Sequence, residues 1–127
     1  MWTMTTIGFY STVALTSKPG HVMVRGRVKK HLMNFIHKMN KVTGVRYDER
    51  DLLEQPSSDY RWRVIVPNQH MVETFSDLMK SIHYDNFKAE CAENQRAGEE
   101  INAKYVKALT QVWNVMYGLQ EDSVDFF

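Results

Sequence analysis

Acidic residues are missing from the first third of this chain. Asp48 is the first of fifteen, whereas residues 1–47 already carry eight of the sixteen lysines and arginines. The formal net charge of +1 does not reveal this separation. Such an asymmetry favours an anionic partner. The alternative is that folding interleaves the two parts and cancels the field, which salt screens over roughly 10 Å.

Cysteines and long apolar runs are also scarce. The single cysteine, Cys91, excludes an internal disulfide and a cysteine-rich zinc site. No apolar run approaches the roughly 20 residues of a membrane-spanning helix, and no secretory leader pattern is visible near Met1. A length of 127 residues predicts one domain. We therefore expect a cytoplasmic protein that contacts no membrane.

Three segments alternate between apolar and polar residues, which is typical of half-buried strands. The segments are TTIGFYSTVAL (5–15), VMVRGRV (22–28) and DYRWRVIVP (59–67). The first two flank a turn signal at Ser17–Gly20 and predict a hairpin. We assign to the buried side Ile7, Phe9, Val13 and Leu15 of the first strand, the valines of the second, and Tyr60, Trp62, Val64 and Val66 of the third segment. Residues 45–53 fit a weak, charged edge strand.

Apolar residues spaced three or four apart predict the helices. Their stripes are Leu32, Phe35, Ile36 and Met39, ending at Gly44; Val72, Phe75, Leu78, Met79 and Ile82; and Ile101, Tyr105, Ala108, Leu109, Val112, Trp113 and Met116, ending at Gly118. The order predicts an α+β fold, an antiparallel sheet with helices on one face. It equals a permuted ferredoxin-like sandwich (strand-strand-helix-strand-strand-helix) over 1–83, with a C-terminal helical extension over 84–119 and a flexible tail over 120–127.

The opposite strand faces carry the candidate ligand site. Because side chains alternate along a strand, the arginines should share the open side of the sheet. The predicted ligand-binding residues are Arg25, Arg27, Arg61, Arg63, Tyr10 and Lys29. Guanidinium groups bind phosphates bidentately, and several RNA-binding folds use sheet faces with aromatic and basic side chains. The alternative is that the C-terminal helices cover this face and pair Glu93, Glu99, Glu100 or Asp122 with the arginines.

Other chemistry has weaker support in the sequence. The five histidines show no metal-ligand spacing, so we expect no metal and no cofactor. Tyr84, Asp85, Asn86 and Lys88 are secondary candidates for a small polar pocket. Their structural interpretation is a helix junction, with Asp85 or Asn86 as the N-cap and Tyr84 and Phe87 packed inward. His83 and Asp85 could form an acid–base pair.

Five motifs resemble a family of small uncharacterised bacterial and phage proteins. They are MWTMTTIGFYS, MVRGRV, DYRWRV, HYDNFK and VWNVMYGLQ, in this order along nearly the whole chain. The resemblance implies a shared fold and supplies no activity to carry over. Met4 and Tyr10 depart from the phenylalanine common in the family's opening, and residues 45–58 match poorly.

These observations predict a non-enzymatic binding protein. Its ligand would be anionic, a nucleotide or a short single-stranded nucleic acid, held on the arginine-rich sheet face. One alternative is a protein–protein module, such as a phage-type inhibitor of a host nucleic-acid-handling or defence system. A small hydrolase using His83 and Asp85 is the other. A homo-oligomer is compatible with each of them.

Overall fold

A computed structural model describes residues 1–96 and 103–120, without the side chains of residues 95 and 96. The strands are β1 (Trp2–Thr5), β2 (Gly8–Ala14), β3 (His21–Gly26), β4 (Leu53–Glu54) and β5 (Trp62–Pro67). The helices are α1 (Lys29–Thr43), α2 (Asn68–Lys80), α3 (Phe87–Arg96) and α4 (Ala103–Tyr117), with a short 3-10 helix at Glu49–Asp51. No helix in these described ranges is long and apolar enough to cross a membrane.

The five strands form one antiparallel sheet in the order β1-β2-β3-β5-β4. The predicted α+β class is confirmed. The order of the last four strands is consistent with the permuted ferredoxin-like arrangement. The sequence interpretation missed β1, because it read residues 5–15 as one strand, whereas the chain turns at Thr6 and Ile7. The predicted edge strand over 45–53 is reduced to Leu53–Glu54.

The core lies between one sheet face and helices α1 and α2. The predicted stripe of α1 is fully buried: Leu32, Phe35, Ile36 and Met39. Across from it are Val22 and Val24 of β3 and Val64 and Val66 of β5, which face each other in register. Helix α1 ends at Gly44, whose left-handed backbone (φ 80°) donates its N–H to Asn40 O at 2.9 Å. These parts of the prediction are confirmed.

The predicted orientation of β2 is wrong. Tyr10 points into the core rather than to the open face, and its ring is fully buried against Phe35 and Phe75. Its hydroxyl donates to His31 O at 2.6 Å, so the polar end of the side chain is satisfied inside the fold. Phe9 and Ser11 consequently lie on the opposite side of the sheet, where Ser11 pairs with Arg25.

The turn between β1 and β2 is where the C-terminal helices attach. Tyr105 of α4 donates its hydroxyl to Thr5 O at 2.7 Å, and Asn94 of α3 donates to Thr6 O at 3.3 Å. Cys91 is fully buried beside Tyr105, and burial raises the pKa of its thiol to about 11. One end of α4 is therefore anchored to the sheet.

The far end of α4 is not buried. Trp113, predicted to pack in the core, is 52% exposed and stacks on Tyr117. The Lys88 ammonium lies 4.7 Å from the centre of the Trp113 ring. The prediction failed because the apolar stripe of α4 extends beyond the surface that the sheet offers. Glu99, Glu100, Ile101, Asp122 and the tail from residue 121 onward lie outside the described residues.

Candidate anion-binding site on the open sheet face

Two arginines meet on the face of the sheet that points away from α1 and α2. Arg25 of β3 and Arg63 of β5 are direct partners in the antiparallel register. Both alternate with core valines along their strands, which places their side chains on the opposite side. Like charges directly opposite each other across two strands are destabilising. This pair therefore needs compensation from its surroundings.

Tyr60 organises the space beside this pair. Its ring is 4% exposed and lies 4.5 Å from the guanidinium carbon of Arg25 and 4.4 Å from that of Arg27. The sequence placed Tyr60 on the core side with Trp62. The structure differs because β5 begins only at Trp62, so strand alternation does not extend back to Tyr60. We define the arginine cluster as Arg25 and Arg27, which contact this ring, and Arg63, which donates to the Tyr60 carbonyl.

Neutral acceptors hold the half-buried guanidinium groups of Arg25 and Arg63. Arg25 donates from Nη2 to Ser11 Oγ at 2.7 Å, and Arg63 donates from Nη2 to Ser58 Oγ at 2.7 Å and to Tyr60 O at 3.0 Å. The Nε atom of Arg63 is buried without a hydrogen-bond partner among the described residues. The two side chains are half-buried and fixed in place, yet their charge is not neutralised by these contacts.

Arg27 is the exposed member of the arginine cluster. Its Nε donates to Asp59 O at 3.0 Å, and within residues 1–96 and 103–120 no acceptor contacts its Nη1 or Nη2 atoms. A guanidinium group anchored through Nε presents its two remaining nitrogens as a planar fork, the geometry that binds phosphate or carboxylate bidentately.

One acid, Asp59, lies beside the arginine cluster, where its backbone carbonyl accepts from Arg27 and its Oδ1 accepts from Ser58 Oγ at 3.4 Å. The ion pairs of the described chain involve other cations: they join Lys29 to Glu49, Lys38 to Asp77, Arg50 to Asp48, Arg61 to Glu54 and His83 to Glu90. In the part of the chain that the structure describes, no carboxylate therefore pairs with a member of the arginine cluster. Of the predicted acidic partners, Glu93 lies in α3, and Glu99, Glu100 and Asp122 lie outside that part.

Besides Tyr10, which lies in the core, two predicted site residues do not join the arginine cluster. Arg61 donates to Glu54 Oε2 at 2.7 Å and lies against the ring of Trp62, whose backbone pairs with Glu54 across β4 and β5. Lys29 pairs with Glu49 at 3.2 Å and also contacts the Trp62 ring. Trp62 packs against the core, so both cations belong to the other side of the sheet edge. The prediction placed Arg61 by strand alternation, although β5 has not yet begun at that residue.

The junction before α3 has a structural role. Asn86 Oδ1 accepts the Ala89 N–H at 3.0 Å, which confirms the predicted N-cap. Tyr84 contacts the Phe87 ring and lines a small hollow next to α2. Asp85 is exposed, and no arginine lines that hollow. His83 contacts Ser81 O and Glu90 rather than Asp85.

An apolar groove adjoins the arginine cluster, and the sequence interpretation did not find it. Its volume is about 450 Å³, and it lies between the open face of β1–β2 and one side of α4. The lining includes Trp2, Met4, Phe9, Arg27, Val112 and Met116. Alternation along Trp2–Thr5 could have placed Trp2 and Met4 on one face, had β1 been recognised as a strand. We call this hollow the α4 groove.

Comparisons with protein-family models, with curated proteins and with solved structures find no match to this chain. The resemblance to small bacterial and phage proteins stays a prediction. In residues 1–96 and 103–120, no three His, Cys, Asp or Glu side chains gather where they could hold a metal ion.

Proposed function

We propose that this chain is a binding protein whose arginine cluster holds the phosphates of a nucleotide or a short single-stranded nucleic acid. The observation that carries the proposal is the Arg25–Arg63 pair, two cations on neighbouring strands whose hydrogen-bond acceptors within the described chain are neutral. An anion placed between them removes the repulsion and adds charge-assisted hydrogen bonds.

The arginine cluster is arranged before any ligand arrives. Ser11, Ser58 and the Tyr60 carbonyl fix the half-buried guanidinium groups, so binding loses little side-chain entropy. Arg27 adds an exposed fork directly beside them. A phosphate reaching this point would contact preformed donors, which favours affinity over an equivalent set of mobile surface lysines.

Exposed aromatic surface supports a ligand with unpaired bases. Trp2 is 69% exposed on the same face, in an edge-to-face contact with Phe9, whose ring lies 5.8 Å from the Arg27 guanidinium carbon. Bases in single strands stack on such rings, whereas bases in a duplex are already stacked on each other. Tyr60 is too deeply buried to serve as this platform and acts instead as a support for the arginines.

A protein with an acidic surface is the second candidate ligand for the arginine cluster. Guanidinium groups bind carboxylates in the same bidentate manner as phosphates. The protein–protein module considered above, including an inhibitor of a host system, would use this chemistry. Competition by an acidic peptide such as polyglutamate distinguishes the two candidates. A site that recognises carboxylates should release a bound oligonucleotide when polyglutamate is added. A site specific for phosphates should retain it.

The direct test is fluorescence anisotropy with a labelled oligodeoxythymidine at low salt. A peptide nucleic acid of the same base sequence is the control, since it keeps the bases and lacks the phosphate charge. We expect binding of the charged strand and no binding of the uncharged one. Absence of binding to the oligonucleotide and to free nucleotides at low salt would overturn the proposal, and equal binding of both strands would exclude phosphate recognition.

A further inference from the structure

The end of α4 presents an apolar surface that the described chain does not cover. Val115, Met116 and Leu119 are 73%, 56% and 75% exposed. The first two line the α4 groove, and Leu119 lies in the turn that follows the last helical residue, Tyr117. Trp2 and Met4, exposed by 69% and 38%, lie on the sheet side of the groove. We define these five side chains as the α4 patch.

The area of the α4 patch is at the upper end of the range that monomeric proteins expose. With a fully exposed large side chain offering about 200 Å², the five side chains expose on the order of 600 Å². The largest apolar patch on a typical monomer is about 300–600 Å² and often has a function. A patch at the upper end of this range, next to a groove that a helix could enter, is an interaction surface.

The charge of this surface points to the kind of partner. The stretch from Ala108 to Gln120 contains no lysine, arginine, aspartate or glutamate. Charges at an interface select a particular partner and repel the wrong ones. Arg27 is the charged residue in the lining of the α4 groove, and the uncharged end of α4 from a second copy would meet it without repulsion. The same patch can therefore be used by both copies, as a two-fold interface requires.

We propose that two copies of this chain form a two-fold dimer through the α4 patch. The end of α4 from each copy would lie against the α4 groove of the other copy, so that both copies make the same contacts. With about 600 Å² from each copy, the interface would total about 1,200 Å², the lower limit of specific stable interfaces. The dimer is therefore weak and depends on protein concentration.

The test is the molar mass of the full chain, measured by light scattering after gel filtration over a wide range of protein concentration. The monomer mass is 14.9 kDa, and we expect the wild-type mass to rise from this value toward twice it. Val115→Glu should stay monomeric, because dimerisation would bury its charge. Asn114→Glu is the matched control, since Asn114 is exposed on the same helix and does not line the groove.

Both variants should melt at the wild-type temperature in dilute solution, because neither side chain is buried in the monomer. A wild-type chain that stays at the monomer mass at every concentration overturns the proposal. A dimer that survives Val115→Glu overturns it as well, as does a dimer that both glutamates abolish equally. Because Trp2 and Arg27 line the α4 groove, a dimer and an oligonucleotide would compete for them. The molar mass is therefore measured without nucleic acid, where each of these results is independent of phosphate binding by the arginine cluster.

Discussion

Arg25 and Arg63 face each other directly across β3 and β5, so two guanidinium groups meet on one side of the sheet. Serine hydroxyls and a carbonyl hold them, and in the described chain no carboxylate pairs with either. Binding of an anion between such guanidinium groups lowers the free energy, because it removes their mutual repulsion. Because a ligand that binds only the folded state stabilises it by RT ln(1 + [L]/Kd), binding should also raise the melting temperature.

The first prediction concerns the exposed fork of Arg27. We expect Arg27→Ala to weaken oligonucleotide binding by about 1.5 kcal/mol or more, the scale of a hydrogen bond to a charged group, and roughly tenfold in Kd. The melting temperature of the Arg27→Ala variant should stay near that of the wild type, since the Arg27 side chain is exposed. Anisotropy titrations and thermal melts measure the two effects separately.

Arg46→Ala is the matched control for Arg27→Ala. Arg46 is also exposed, and it follows the opposite end of α1 from Arg27. Removing it deletes the same charge about 20 Å away along a 15-residue helix. Equal losses of affinity in both variants would mean that the ligand responds to net charge, and the arginine cluster would not be the site.

The second prediction compares two arginines separated by one residue. Arg63→Ala removes the bonds that hold Ser58 and the Tyr60 carbonyl, and we expect it to lower the free energy of unfolding by about 1–3 kcal/mol. Arg61→Ala breaks an exposed ion pair with Glu54 and should cost at most about 1 kcal/mol. Urea titrations give both values. Stabilisation by Arg63→Ala would show that repulsion from Arg25 outweighs the hydrogen bonds.

The sequence predicted those elements in which one side of a strand or helix is clearly more apolar than the other. The α1 stripe of Leu32, Phe35 and Ile36 has lysines and histidines around it, so only one orientation buries apolar surface. The valines of β3 alternate with Met23 and Arg25. Because a charged arginine is unfavourable in the core, the valines are assigned to the buried side of the strand. The same contrast placed Arg25 and Arg63 correctly on the open face.

The orientation of β2 could not be predicted in this way. Phe9 and Val13 on one side are no less apolar than Tyr10 and Thr12 on the other, so period two defines two faces without ranking them. The choice depends on neighbours that only the fold supplies. Gly8 is one of these determinants, because a Cβ there would lie 2.6 Å from the His31 ring, at a φ of 153°.

The arrangement of α4 was also beyond the sequence. Periodicity identifies an apolar side of the helix, but it does not say how much of that side another element covers. Here the sheet contacts Tyr105 and Leu109 near the start and leaves Val115 and Met116 exposed. The apolar periodicity therefore predicted the helix but not the groove beside it.

The third prediction tests the corrected position of Tyr10. Tyr10→Phe removes the hydroxyl that donates to His31 O, and we expect a loss of about 1 kcal/mol in the free energy of unfolding. Ligand affinity should not change, because the ring lies on the core side of β2. A loss of affinity without a loss of stability would return Tyr10 to the ligand site.

The fourth prediction concerns alkaline pH. Burial, with a smaller contribution from Glu90, raises the pKa of Cys91 from 9.0 to about 11, and burial also raises the pKa values of Tyr10 and Tyr105. Because each pKa is higher in the folded state, the neutral forms stabilise the fold below pH 9. For Cys91 this contribution, roughly 2–3 kcal/mol at most, is lost as pH rises from about 9 to about 11.

Urea unfolding at a series of pH values measures this loss. Cys91→Ala should be somewhat less stable at neutral pH, and its stability should fall less steeply above pH 9, with the remaining slope due to the two tyrosines. Identical slopes for the wild type and this variant would show that the thiol titrates normally and is not buried as described.

The salt dependence of oligonucleotide binding tests the phosphate account most directly. Each phosphate neutralised on a single strand contributes about 0.7 to the slope of log K against log salt concentration. We expect a steep decrease in affinity for the wild type and a slope smaller by about 0.7 in Arg27→Ala, with Arg46→Ala unchanged. A wild-type affinity that does not vary with salt would contradict phosphate binding by the arginine cluster.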